Sequence, residues 1–327
     1  MKRLHKSVKD NFVAVLVPLL FYIVILIISP TSRNLNGAIS LLKQGFAPAV
    51  LAWGVLFSMS VGNWDFSVGA NVLLASIIGG NLAQDLHLGI VGMFFICVII
   101  GSLCAASTSL VYSILNIPSL IASLGMLLIY ESISGWIYGG EGLVLDTSYV
   151  IFGQFPINII SFILAFAVAY ILYYRCAFGY RLRAVGSNSK VAESNGINIV
   201  KYKMLAMICV GLFSGIYSVI NIGSAGVART ASNMQSMAVC FESMMCVFIG
   251  LSITRKGNRI FGVYCGSLVM QMVNMILMIL NVNASFRKIV IAVIVIVLMV
   301  SANRPDISAA IRHKLGFGKA KAVKGVG

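Results

Sequence analysis

The sequence predicts an all-α, polytopic membrane helix bundle with about ten transmembrane segments and both termini in the cytoplasm. Hydrophobic residues make up 59% of the 327-residue chain and charged residues only 10%, against about 25% charged residues in a soluble domain. Long apolar runs recur along the chain, and its cations gather in a few of the intervening loops. Water is therefore not the solvent for most of this surface.

The apolar runs define ten predicted spans, since a full crossing takes about 20 residues. They cover residues 12–28, 47–61, 66–82, 88–113, 119–138, 157–174, 204–223, 234–252, 259–281 and 286–302. The first follows a basic leader and no small-residue cleavage motif follows it, which predicts an uncleaved span. The second and third are short, and the tight break at 62–65 also allows a single bent or re-entrant unit.

The distribution of cations predicts the orientation. Of the 24 Lys and Arg residues, 19 lie before the first span, in 175–203, in 253–259 or from Arg304 onward, and ten spans place all four regions on one side. Lys and Arg are enriched in cytoplasmic loops, so that side is predicted to be the cytoplasm. This explanation of the basic charge leaves no reason to expect a nucleic-acid partner.

The predicted domains are a transmembrane domain at 1–303 and a basic tail at 304–327, which we expect to contact anionic membrane lipid. Ten spans also divide into two five-helix halves that would be inverted copies, as in many transporters. No internal sequence repeat is evident. In that arrangement Asp65, before the third span, and Glu242, in the eighth, hold related positions.

Residues 178–203 form a polar, basic segment in an otherwise apolar chain. Asn188 is a predicted N-cap, and Gly196 stands where a helix ends in a residue that tolerates positive φ. The helix between them, Ser189–Asn195, would be about 10 Å long, too short to be stable alone. We therefore predict a cytoplasmic docking element for a motor protein; the alternative is a merely solvated loop.

Catalytic and metal-binding motifs are absent from the sequence. It contains no GxSxG, HExxH or GxxxxGK[ST] pattern, and its seven cysteines stand in or beside apolar runs as small hydrophobic residues. We expect a non-catalytic subunit with no catalytic residue, cofactor or metal site. An ATPase that powers this protein must then be a separate chain.

Three acids in or beside the spans, Asp65, Glu131 and Glu242, are costly there and indicate function. They could cap helices, belong to a substrate pathway or relay protons; the last would make the chain a proton-coupled secondary transporter. A pathway for a neutral polar solute needs hydroxyl and amide groups more than charges. The candidates for these groups are Ser67, Asn71, Ser76, Ser123 and Ser243.

Glycine pairs four residues apart predict close helix packing in lipid. They are Gly135 with Gly139, Gly211 with Gly215, and Gly262 with Gly266.

Four stretches together resemble the permease subunits of sugar-importing ATP-binding-cassette transporters of the ribose, galactose and autoinducer-2 class. They are 65–69 (DFSVG), 116–125 (NIPSLIASLG), 178–198 (FGY, AVGSN and SNGIN within it) and 242–250, with the third the most specific. The resemblance covers roughly residues 60 to 300. The chain departs from the family pattern at 250–257, GLSITRKG, which is poorer in glycine and more basic than the usual loop.

The resemblance implies a multi-pass protein of the bacterial cytoplasmic membrane. Its partners would be ABC ATPase subunits inside, an extracytoplasmic sugar-binding protein outside, and a second permease subunit, identical or different. A short cytoplasmic helix of such permeases couples ATP hydrolysis to transport. The resemblance assigns this coupling to Gly186, Ser187, Asn188, Ser189, Lys190, Ala192, Glu193, Ser194, Asn195 and Gly196.

Overall fold

The protein is a bundle of α-helices, in agreement with the predicted class. The computed structural model describes residues 2–28, 35–153, 157–254, 257–283 and isolated positions between 286 and 296. The helices are α1 (Lys2–Ile28), α2 (Leu35–Gln44), α3 (Phe46–Ser60), α4 (Val68–Asp85), α5 (Gly89–Leu115), α6 (Ser119–Trp136), α7 (Ile157–Tyr170), α8 (Ala177–Ser187), α9 (Ser189–Ser194), α10 (Ile199–Ala225), α11 (Met237–Ile253) and α12 (Arg259–Ile279).

Six helical segments of the described part are long and apolar enough to cross a membrane: Ile39–Ser60, Gly89–Leu115, Ser119–Gly140, Ile157–Arg175, Ile199–Ala225 and Arg259–Ile279. The apolar helices Ala14–Ile28 and Met237–Ile253 are shorter. The first nine predicted spans all coincide with helices, but a count of ten crossings stays a prediction. The tenth predicted span falls largely outside the described residues, and the 304–327 tail falls wholly outside them.

Short elements that the sequence did not predict connect the helices. Turns of 3-10 helix follow α6 (Ile137–Gly140) and precede α7 (Thr147–Gly153), and a π-helical turn (Ile171–Arg175) extends α7. Strands β1 (Leu143–Val144) and β2 (Val227–Ala228) pair antiparallel. This pair joins the segment after α6 to the segment after α10.

Glycines allow the central helices to approach each other closely. A methyl group on Gly211 or Gly215 of α10 would overlap backbone atoms of α5, and one on Gly101 of α5 would overlap α10. A methyl group on Gly266 of α12 would likewise overlap the backbone of α11. The packing predicted for these two pairs is confirmed. The packing predicted for Gly135 and Gly139 is wrong within this chain. Nothing lies within 4 Å of a methyl group added at either position.

An aromatic core positions the end of α3. Trp53, fully buried, donates a hydrogen bond from Nε1 to the carbonyl oxygen of Ile260 at 2.9 Å, which links α3 to α12. One turn further along α3, Phe57 packs edge-on against Tyr173 and parallel to Phe213 of α10. The end of α3 is thereby held among α7, α10 and α12, next to the polar 178–203 segment.

Candidate functional site

The predicted docking segment folds as two consecutive helices, α8 and α9. Asn188 separates them and caps α9, because its Oδ1 accepts a hydrogen bond from the amide of Val191 at 3.2 Å. Gly196 has a φ of +76°, and its amide donates to the carbonyl of Glu193 at 2.8 Å. Both predicted caps are confirmed. The helix ends at Ser194, one residue earlier than predicted.

Most of α9 faces outward. Of the residues assigned to coupling, only Ala192 is buried, and the other nine, from 186 to 196, are exposed. Val191 is also exposed, although it is apolar. A six-residue helix cannot hold its shape in water through its own hydrogen bonds, so its caps and the buried Ala192 keep it in place.

Close backbone contacts anchor α8 to the bundle. Gly186 lies against the carbonyl of Ser60 at the end of α3, where a methyl group would overlap the oxygen. Gly179 also lies close to the carbonyls of Leu172 and Tyr173 in the π-helical turn, where a methyl group would overlap both oxygens. Since side chains are excluded at both points, a displacement of α8 presses directly on α3 and on the end of α7.

Tyr173 is a fully buried hub beneath α8. Its hydroxyl lies 3.2 Å from Oγ of Ser60 and accepts a hydrogen bond from Nη1 of Arg259 at 3.1 Å. Because the Ser60 hydroxyl already donates to the carbonyl of Leu56 at 2.7 Å, the Tyr173 hydroxyl is the donor to Ser60. One phenol group therefore joins α3, the end of α7 and the start of α12.

Arg183 of α8 packs onto the same aromatic group. Its guanidinium carbon lies 4.8, 5.1 and 5.3 Å from the ring centres of Tyr180, Tyr174 and Tyr173, within the range of cation–π attraction. The Tyr174 hydroxyl accepts the backbone amide of Arg259 at 2.8 Å. Sequence reasoning counted the arginines only as loop charges; the adjacent tyrosines at the end of a span were a signal it did not use.

Asp65 is a buried carboxylate at the start of α4. Its Oδ1 accepts the amide of Ser67 at 2.9 Å and the hydroxyl of the same residue at 2.6 Å. The following amide, that of Phe66, donates to Oγ of Ser123 on α6 at 3.1 Å. The Ser67 hydroxyl also lies 3.4 Å from Oγ1 of Thr108, which is 2.9 Å from the Tyr130 hydroxyl. Three predicted candidates thus belong to one internal polar network.

Glu131 is a buried carboxylate that reaches from α6 to the start of α11. Its Oε1 accepts the amide and the hydroxyl of Ser236, at 2.8 and 2.6 Å, and its Oε2 accepts the amide of Met234 at 2.8 Å. These amides precede α11 and have no helical acceptor. Helix capping, one of the roles expected for the acids, therefore accounts for every hydrogen bond recorded for this carboxylate.

The N-terminal ends of α4 and α11 meet. Gly69 in the first turn of α4 lies against the carbonyl of Ser236, where a methyl group would overlap it. Each helix N-terminus carries a partial positive charge, and Asp65 and Glu131 place a carboxylate at each of them. The related positions of Asp65 and Glu242 in two inverted halves stay a prediction. Glu242 lies within α11 and accepts a hydrogen bond from Gln271 of α12 at 3.0 Å.

The remaining pathway candidates are also inside the chain. Ser76 and Ser243 are buried, and the Ser243 hydroxyl donates to the carbonyl of Val239 at 2.9 Å. Asn71 donates from Nδ2 to the carbonyl of Gly101 at 3.0 Å. Its Oδ1, in contrast, is a buried acceptor with no hydrogen-bond partner in the described structure.

Within the described ranges, no group of three His, Cys, Asp or Glu side chains is arranged to hold a metal ion. The seven cysteines are free, and each is buried or half-buried. Of the atypical 250–257 stretch, Gly250 to Ile253 continue α11, and a methyl group on Gly250 would overlap Gly262 and Val263 of α12. Arg255 and Lys256 lie outside the described residues.

The helical architecture and the apolar spans define a multi-pass membrane protein. Residues 37–299 match the sequence pattern of a family described as "Branched-chain amino acid transport system / permease component". This match covers most of the chain, so the protein belongs to that family of permease components, as the resemblance predicted.

Several characterised relatives align along most of their length. The chain is 23% identical to the galactose/methyl galactoside import permease protein of Salmonella typhimurium, over 82% of this chain and 89% of that one. It is 25% identical to the ribose import permease protein of Bacillus subtilis, over 86% and 89%. The autoinducer 2 import system permease protein of Yersinia pseudotuberculosis is 23% identical over 78% and 74%. No solved structure gives a significant match.

Proposed function

We propose that the chain is the transmembrane permease subunit of an ATP-binding-cassette importer for a sugar or a related small polar solute. The observation that carries this proposal is the family match over residues 37–299, together with relatives named as galactose, ribose and autoinducer 2 import permeases. The partners are ABC ATPase subunits at the cytoplasmic face, an extracytoplasmic binding protein and a second permease. The protein acts in the cytoplasmic membrane, and ATP hydrolysis belongs to the partner chain.

The ATPase docks on α9 in this proposal. The support is geometric: α9 is capped at both ends, exposed except for Ala192, and continuous with α8. Through Gly186 and Ser60, α8 contacts the end of α3 without intervening side chains. Movement of a docked ATPase would therefore reach the membrane helices through backbone contact, which is stiffer than contact between flexible side chains.

The solute pathway in this proposal passes the meeting point of α4 and α11. The support is the concentration there of hydroxyl, amide and carboxylate groups in a chain that is otherwise apolar. Glu242 is the one pathway candidate that is not fully buried, and the unpartnered Oδ1 of Asn71 can accept a hydrogen bond from a solute hydroxyl. A second permease subunit would close the pathway on the side opposite these helices.

The alternative, a proton-coupled carrier using Asp65, Glu131 or Glu242, has less support from the geometry. Two of these carboxylates bind helix N-termini, and the third accepts a hydrogen bond from an amide. Each of these contacts positions a helix, and that structural role is enough to account for the three acids without a proton relay.

Reconstituted transport tests the proposal. We expect solute uptake into vesicles to require ATP, a cassette ATPase and a binding protein, and uptake driven by a proton gradient without them would overturn it. Replacing the exposed Glu193 or Gly196 with Trp should uncouple ATP hydrolysis from uptake while the chain still inserts. The matched control is Glu141→Trp, an exposed acid on the predicted outer side. Normal coupling in both α9 variants would refute docking on α9 but not the transport function.

A further inference from the structure

We propose that Arg183 and Arg259 form a binding site for the phosphate headgroup of an anionic membrane lipid. The two side chains come from α8 and from the first residue of α12, and both contact Tyr173. This inference concerns the membrane surface of the chain and does not depend on whether an ATPase docks on α9.

Among the described residues, both guanidinium groups have more N–H donors than hydrogen-bond acceptors. A guanidinium has five N–H donors. Arg183 uses Nε for the carbonyl of Gly179 at 3.2 Å, and Arg259 uses one Nη1 donor for Tyr173. The remaining donors of each fork match the oxygens of a phosphate, which arginine binds in a bidentate manner.

Charge complementarity indicates an anionic ligand. The recorded partners of Arg183 and Arg259 in the described structure are tyrosine groups and one backbone carbonyl, and no carboxylate pairs with either. Between Asp146 and Glu242 the chain has a single acid, the exposed Glu193 of α9. Both guanidinium groups contact Tyr173 and carry the same charge, so a phosphate bound between them would be attracted by both.

The position of the site favours a lipid over a soluble phosphate. Tyr173 and Tyr174 stand at the end of the apolar segment Ile157–Arg175, and tyrosine is enriched where a span meets the headgroup region. On the same segment, Ile163 and Ile171 are 58% and 49% exposed and offer a surface to an acyl chain. Basic pockets between transmembrane helices on the cytoplasmic side are known to bind lipid headgroups.

The test is lipid retention by the full chain. The chain is placed in nanodiscs of phosphatidylcholine with a minor share of phosphatidylglycerol, and bound lipid is measured by native mass spectrometry. We expect preferential retention of phosphatidylglycerol, weakened about fivefold by Arg259→Gln and about 25-fold by adding Arg183→Gln. Arg259→Lys keeps the charge, so its retention of phosphatidylglycerol should lie between that of the unsubstituted chain and that of Arg259→Gln. The control, Arg229→Gln, removes an equal charge on the predicted outer side and should change nothing.

Three results would overturn the proposal. The first is equal retention of the two lipids by the unsubstituted chain, or an unchanged lipid preference in the Arg259→Gln variant. Because Arg259 is exposed, this variant should fold normally. The second is protection of the detergent-solubilised chain by inorganic phosphate as effectively as by phosphatidylglycerol, which would identify a soluble anion as the ligand. The third is loss of ATPase binding in the Gln variants with lipid preference intact, which would assign the arginines to a protein interface.

Discussion

The carboxylate of Glu131 on α6 accepts the backbone amide and the hydroxyl of Ser236, 105 residues later in the chain, at the N-terminus of α11. Ser236 in turn lies against Gly69 at the N-terminus of α4. Two helices that start head to head would repel through their dipoles. Glu131 and Asp65 offset that repulsion, so the two acids stabilise the arrangement on which the proposed pathway depends.

Replacing Glu131 with Gln should destabilise the protein by about 1–3 kcal/mol, because the amide that replaces one carboxylate oxygen cannot accept hydrogen bonds. Thermal unfolding in detergent measures the change. Glu141→Gln, at an exposed position, is the control and should leave the unfolding temperature unaltered. If Glu131→Gln unfolds like the unsubstituted chain but makes uptake insensitive to pH, the carboxylate relays protons instead.

Gly69→Ala should separate α4 from α11, since the added methyl group would overlap the carbonyl of Ser236. Overpacking of this kind costs about 1–3 kcal/mol. The comparison variant is Gly125→Ala on α6, where nothing lies within 4 Å of the new methyl group. Similar unfolding temperatures for the two variants would show that the helix ends are less tightly packed than described.

Tyr173→Phe should reduce solute uptake per ATP hydrolysed by about fivefold, the equivalent of about 1 kcal/mol. The change removes the hydroxyl that joins Ser60 to Arg259 but keeps the ring between Phe57 and Arg183. The ratio is measured in vesicles containing the assembled transporter.

Tyr180→Phe provides the matched control, because the Tyr180 ring also faces Arg183 while no hydrogen bond of its hydroxyl enters the hub. We expect this variant to keep the normal ratio. Equal ratios in Tyr173→Phe and the unsubstituted chain would mean that backbone contact alone carries the movement, without the phenol group.

The predicted orientation can be tested with a membrane-impermeant maleimide. Lys190→Cys on α9 should react only from the cytoplasmic side and Glu141→Cys only from outside, because the cation-rich loops are predicted to be cytoplasmic. The native cysteines are buried or half-buried, and the unsubstituted chain measures their background. Labelling of both variants from the same side would contradict the single crossing predicted between the two positions, the span at Ile157–Arg175.

Much of the fold was predictable because lipid imposes simple requirements on a sequence. A segment that crosses the bilayer must be apolar and helical, since backbone polar groups find no partner in hydrocarbon. The caps of α9 were equally readable, since Asn188 and Gly196 act on neighbouring backbone groups. The predicted boundaries were wrong by a few residues where polar residues extend a helix beyond its apolar run. For example, α10 begins at Ile199, five residues before the predicted span.

Contacts between distant segments could not be predicted from the sequence. Nothing in the sequence near Glu131 indicates that its partners are Met234 and Ser236. An apolar face in lipid can turn toward any neighbouring helix, so periodicity does not select its partner. The β1–β2 pair, which joins residues 143–144 to 227–228, was not predicted for the same reason.

The sequence by itself determined the membrane environment, the helical class, the family and the capped polar segment, because each depends on composition or on residues close together in the chain. Only the tertiary structure decided which acids meet which helix ends and that Tyr173 joins α3 to α12. It also decided that, among the residues it describes, Arg183 and Arg259 have no carboxylate partner. These features depend on the packing of helices separated by many residues. That packing is set by shape and by hydrogen-bond geometry, which a linear pattern of apolar and polar residues does not encode.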